Sequence, residues 1–159
     1  MVDSVEFGKF IVSRAAGLGG GAAPIKLNET KLHKLIYICD GFMLAGGVNL
    51  IKETAKAWNY GPVYPKVHKW LKKDEVALSS PCQCDKSAAQ EISAASAESL
   101  VDRVLGSFGG WTASQLTAWS HRPGSPWERA LERSRGVMNS PISKSDMRDY
   151  FKGLIGGIS

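Results

Sequence analysis

Asn28-Glu29-Thr30-Lys31-Leu32-His33-Lys34-Leu35-Ile36-Tyr37-Ile38-Cys39-Asp40-Gly41-Phe42-Met43 is the stretch on which the fold turns. Leu32, Leu35, Ile36, Cys39 and Met43 recur at the three-and-four spacing of a buried helical face, and Ile38 and Phe42 widen it. Asn28 stands where a side-chain oxygen accepts from an unpaired amide one turn ahead, so the helix starts there, and Gly46-Gly47 ends it. Gly41 in its interior costs about 1 kcal/mol relative to alanine, which implies close approach by another backbone.

On the N-terminal side, Val5, Phe7, Phe10, Ile11 and Ala15 mark a shorter helix over residues 4–16, which Gly17 ends. Gly17 to Pro24 then reads as a flexible connection, too short to separate two domains. On the C-terminal side, Ala55 to Tyr60 alternates small or aromatic residues with polar ones before Gly61-Pro62. That pattern predicts a short strand, with Val48 to Ile51 as a hairpin partner. Helix resumes after Pro62 or Pro65, with Val67, Trp70 and Leu71 as its apolar edge. Residues 74–98 are rich in Ser and Ala and contain Pro81, and read mostly as loop.

Leu100, Val101, Val104, Leu105 and Phe108 form a core helix stopped by Gly109-Gly110. Thr112-x-x-Gln115, Ser125-Pro126-Trp127-Glu128 and Ser143-x-x-Asp146 are capping signatures that open three short helices. Tyr150, Phe151, Leu154 and Ile155 dock the last of these, and Gly156 to Ser159 trail loosely. The expected fold is mostly α, a compact single domain over residues 1–159. It has about six or seven helices and a short β-hairpin or extended segment near residues 48–60.

Composition narrows the function. With 43% hydrophobic and 22% charged residues, the 159-residue chain is an ordinary globular domain. Its apolar runs are short and broken by charge, far from the roughly 20 residues that span a bilayer, and no secretory h-region follows the acidic N-terminus. A cytoplasmic protein without a membrane partner is expected. Cys39, Cys82 and Cys84 make neither a disulfide framework nor a zinc motif. His33, His68 and His121 lack ligand spacing, so no metal is expected. There is no G-x-S-x-G elbow, and Gly17 to Gly21 lacks the lysine and hydroxyl of a phosphate loop. The chain reads as a binding protein with no catalytic residues and no cofactor.

Net charge +5 favours anionic partners. Lys52, Lys56, Lys66, Lys69, Lys72 and Lys73 are opposed between residues 52 and 73 only by Glu53, with Trp58, Tyr60, Tyr64 and Trp70 interleaved. Lysines on phosphates and aromatics on bases would make a nucleic-acid surface. Alternatively the aromatics fill the core and the lysines are its solvated rim.

Leu32-His33-Lys34-Leu35-Ile36-Tyr37, Ala57-Trp58-Asn59-Tyr60-Gly61-Pro62-Val63-Tyr64-Pro65-Lys66-Val67 and Ser120-His121-Arg122-Pro123-Gly124-Ser125-Pro126-Trp127 resemble, in that order, three signature blocks of the Panacea antitoxin domain. The resemblance implies an antitoxin that binds a cognate toxin protein encoded by a neighbouring gene. It also implies, for adaptor-like members, delivery of the toxin to the ClpXP protease. Where the family often has an aromatic and a histidine after the glycine of this helix, the chain has Phe42 and Met43. A turn fixed by Gly61-Pro62 and Pro65 presents Trp58, Tyr60 and Tyr64 at low entropic cost, as interface anchors require. With Pro62, His121 and Trp127 they form the expected partner-binding set, and core packing is the competing role for Trp58 and Trp127.

Overall fold

The computed structural model describes residues 1–17, 24–74, 78 and 82–156. The chain runs through α1 (Ser4–Ala15), α2 (Glu29–Ala45), β1 (Lys56–Trp58), β2 (Gly61–Val63), α3 (Pro65–Asp74), α4 (Lys86–Ala94), α5 (Ala97–Phe108), α6 (Ala113–Ser120), α7 (Pro126–Arg133), β3 (Ser140–Pro141) and α8 (Lys144–Gly156). The protein is mostly helical, as periodicity requires. Among the described residues there are eight helices, one more than expected.

The additional helix is α4, within the stretch read as loop. The Asp85 side chain accepts from the Ala88 amide at 2.7 Å and starts it, while Ala88 and Ile92 bury its one narrow apolar edge. Alanine and serine gave that edge little hydrophobic contrast, which is why the pattern was weak. Residues 18–23, most of the expected flexible connection, lie outside the described residues, as do 75–77, 79–81 and 157–159; of the expected loose end at 156–159, Gly156 belongs to α8.

α2 is the hub. Every residue from Lys31 to Gly41 is buried, and the helix packs against α1, α3, α5, α6, α8 and β2. A helix covered on all sides must bury polar groups too, and each needs a partner. The Lys31 ammonium donates to the carbonyls of Lys26 and Gly109, both at 2.8 Å, and Asp40 accepts from the Tyr64 hydroxyl at 2.8 Å. At Gly41 the close neighbour is the Phe151 ring of α8, lying where a Cβ would be, rather than the backbone expected. Phe151 is fully buried and meets Tyr37, Phe42 and Tyr150 edge-on.

All three capping signatures form. Thr112 and Gln115 make a reciprocal capping box, Ser125 accepts from the Glu128 amide, and Ser143 accepts from the Asp146 amide. Of the residues expected to dock α8, Phe151 is in the core but Ile155 is half exposed. α3 starts at Pro65, the later of the two prolines.

The strands form one antiparallel sheet in the order β2-β1-β3. Ala55 to Tyr60 contains the expected strand, but its hairpin partner is Gly61–Val63, with Trp58 opposite Gly61 and Lys56 opposite Val63. The Val48 to Ile51 segment instead reaches the N-terminus, where Ile51 bridges Val2 in parallel. The difference follows from Gly61, whose φ of +109° lets the chain reverse immediately after Asn59-Tyr60. Among the described residues no helix is long and apolar enough to cross a membrane.

Candidate functional site

The β1-β2 turn rises from the helical body and is held from beneath by parts of all three sequence blocks. From α2, the buried Lys34 ammonium donates to the Pro62 carbonyl at 3.4 Å, and His33 Nδ1 accepts from the Tyr64 amide at 3.2 Å. From α7, the Trp127 indole donates to the Trp58 carbonyl at 2.7 Å. His121, at the end of α6, stacks on Trp127 with ring centroids 3.7 Å apart. Gly61 is enclosed: an added Cβ would lie 2.6 Å from both Lys34 Cε and Ser120 Oγ. Burial draws the Lys34 ammonium down to about 8 and lowers His121, which Lys34's charge lowers further.

The brace sorts the expected partner-binding residues. Pro62 and Tyr64 are buried, the latter completely, and His121 and Trp127 lie under the turn as its supports. Trp58 is half-buried, with its indole donating to Asn139 Oδ1 at 2.9 Å and its ring edge-on to His68. Only Tyr60 of the set stands clear, at 71% exposure. Beside it opens a cleft of about 720 Å³ lined by Lys56, Trp58, Tyr60, Lys69, Met138 and Asn139, among others.

Val137 and Met138, 61% and 43% exposed, were not anticipated from sequence. They lie in a loop tied to β1 by the Asn139 amide donating to the Ala57 carbonyl at 2.7 Å. Arg135, Gly136 and Asn139 all take positive φ there. An apolar pair inside the turn-rich Gly136-Val137-Met138-Asn139 run was the available signal, since turns run over the surface.

The lysine tract is divided. Lys66 pairs with Asp3 at 2.7 Å and Glu53 at 2.9 Å, so its charge is already compensated. Lys56 and Lys69 line the cleft, whereas Lys52, Lys72 and Lys73 are exposed outside it. Interleaving in sequence therefore does not become a continuous cationic track beside stacked aromatics.

Glu29, His33 and His68 approach one another closely enough to suggest a metal centre. The hydrogen bonds decide against it. Because His33 Nδ1 accepts from the Tyr64 amide, neutral His33 carries its proton on Nε2, which faces Glu29 Oε2 at 3.3 Å as a donor. A ligating Nε2 would require an imidazolate or two opposed N–H groups. His68 Nδ1 meets the same Glu29 oxygen at 2.5 Å, so the trio is a clasp joining α2 to α3.

Two buried groups of this framework titrate in opposite senses. Burial lowers His33 from 6.5 to about 4, with Lys34 adding to the effect and Glu29 opposing it. Burial raises Asp40 from 3.8 to about 6, against the Tyr64 hydrogen bond and Lys144. Between those limits the unfolded chain holds the His33 proton and the folded chain the Asp40 proton. The first makes stability rise with pH and the second makes it fall, so they largely cancel. In Asp40→Asn only the His33 effect remains. The variant should gain roughly 3 kcal/mol on the parent between pH 4 and 6, measured by urea denaturation. A pH-independent difference would contradict the assignment of Asp40.

The chain belongs to the family of SocA-like antitoxins with a Panacea domain, whose model matches residues 32–128. That span contains all three braced blocks and ends before the Val137 to Asn139 loop, and membership supports an antitoxin role. Among individual proteins, the chain is similar to the antitoxin SocA of Caulobacter vibrioides, 29% identical over 146 residues, covering 80% of this chain and 69% of that protein. No solved structure matches it.

Proposed function

We propose that the chain is an antitoxin that neutralises a cognate toxin protein, encoded by a neighbouring gene, by binding it directly on the face formed by Trp58, Tyr60, Met138 and Val137. The observation that carries this reading is the exposed Tyr60 above a turn fixed by hydrogen bonds from Lys34 and Trp127. An aromatic side chain held on a rigid support loses little entropy on binding and is the usual form of an interface anchor. Among the described residues of the site no nucleophile stands beside a base, so neutralisation by binding is the mechanism proposed, whether by occlusion or by delivery of the toxin to a protease. The compensated Lys66 weighs against a nucleic-acid surface.

The test is growth of cells expressing the neighbouring reading frame, alone and together with this protein. Arrest relieved by co-expression, with the two proteins co-purifying, supports the reading; a harmless neighbour that does not co-purify sinks it. Tyr60→Ala should weaken the complex by about 2 kcal/mol, near thirtyfold. Its melting temperature should stay unchanged, because the side chain is exposed. Calorimetric titration and thermal denaturation of the same preparation check the two halves.

A further inference from the structure

The cleft beside Tyr60 also says what its occupant must look like. Lys56 and Lys69 both line it, and among the described residues neither ammonium is paired with a carboxylate. Nearby carboxylates are committed elsewhere: Glu53 and Asp3 hold Lys66, and Glu29 holds His68. Among the described residues no acidic side chain lines the cleft. Its other walls are flat or flexible apolar groups, Trp58, Tyr60, Pro65 and Met138, with the amides Asn59 and Asn139 between them. Two uncompensated cations beside an aromatic and thioether wall make a receptor for an anion attached to an apolar body.

We propose that the cleft recognises an acidic segment of a protein partner, with one Asp or Glu carboxylate between Lys56 and Lys69 and an adjacent apolar side chain against Tyr60 and Met138. This rests on the reading of the face as a protein-binding one and specifies the chemistry it selects. A phosphate backbone is the competing occupant, since it too offers anions beside flat rings. The geometry favours the carboxylate for two reasons. A nucleic-acid strand needs cations along a track, and here the third lysine of the stretch, Lys66, is neutralised. Trp58 packs against the His68 ring and has its indole N–H bound to Asn139, and among the described residues lining the cleft Tyr60 is the ring left freely exposed.

The test uses the full chain labelled with ¹⁵N and three probes: the blocked peptide acetyl-Leu-Glu-Glu-Leu-amide, its Gln-Gln analogue, and a ten-residue oligothymidylate. The Glu peptide should perturb the Trp58 indole resonance and the Lys56 and Lys69 amides. The Gln analogue should bind about tenfold more weakly, as should the Glu peptide to a Lys56→Gln/Lys69→Gln variant. Equal binding of the two peptides, or perturbations away from the cleft, overturns the proposal. Tighter, steeply salt-dependent binding of the oligothymidylate at these residues overturns it in favour of nucleic acid. A failed growth rescue would instead count against the antitoxin reading, and the peptide comparison stands apart from it. If rescue survives in Lys56→Glu/Lys69→Glu but is lost in Tyr60→Ala, the face is correct and the acidic preference is wrong.

Discussion

Phe151→Ala is expected to destabilise the protein by about 3–5 kcal/mol, the largest loss from any single truncation considered. The ring is fully buried in α8, fills the space above Gly41, and meets the rings of Tyr37, Phe42 and Tyr150 edge-on at centroid distances of 5.5, 4.9 and 5.7 Å. Truncation removes transfer free energy and leaves a cavity between α2 and α8, the most extensively packed pair of helices among the described residues. The melting temperature should fall by roughly 10 °C. A second substitution identifies the cause. Gly41→Ala alone drives a methyl into the ring, but in the Phe151→Ala background it fills part of the vacated space and improves helix propensity. The pair should be more stable than Phe151→Ala alone. Additive losses would mean that the ring and the glycine do not share that space.

Gly61→Ala is the second large effect, expected at about 2–5 kcal/mol from two separable sources. A non-glycine residue at φ +109° is strained by about 1–2 kcal/mol, and the methyl would press on Lys34 and Ser120, adding about 1–3 kcal/mol of overpacking. Gly47→Ala is the control: its φ of +86° is strained too, but among the described residues nothing lies within 4 Å of the added Cβ. Denaturant melts of the two variants should therefore differ by the overpacking part. Gly61→Ala should also lose partner binding, because the displaced turn carries Tyr60 with it, whereas Gly47→Ala should retain it. If the two melt alike, the turn is not enclosed as described.

The parts legible in the sequence are those written in local spacing. The α2 stripe, the Thr112, Ser125 and Ser143 caps, and the strand before Gly61-Pro62 depend on neighbours within a few residues, and each formed. Where serine and alanine blurred the apolar contrast, α4 was missed, although Asp85 was in place to cap it. Long-range pairing was not readable either: whether Val48 to Ile51 meets β1 or the N-terminus depends on where the turn falls.

The candidate site was half visible. Trp58, Tyr60 and Pro62 were expected to act together at a rigid turn, and the structure gives them different environments. Lysine is ordinarily solvated, so no pattern in the chain marks Lys34 as the buried support of that turn. Met138 was separated from Trp58 by eighty residues and is brought beside it by the Asn139 contacts and the pairing of β1 with β3. Glu29 and His33 had helical i, i+4 spacing, but His68 and the Tyr64 amide, which define their chemistry, come from elsewhere.

The hydrogen-exchange footprint of the toxin complex tests the central claim most directly. Deuterium uptake is compared for the free protein and for the protein saturated with the toxin that co-purifies with it. The account requires new protection at residues 56–60 and 137–139, with the supports beneath the turn at Lys34 and Trp127 little changed. Protection confined to the α5, α6 and α8 surface, with the Tyr60 turn exchanging as freely as before, would contradict it.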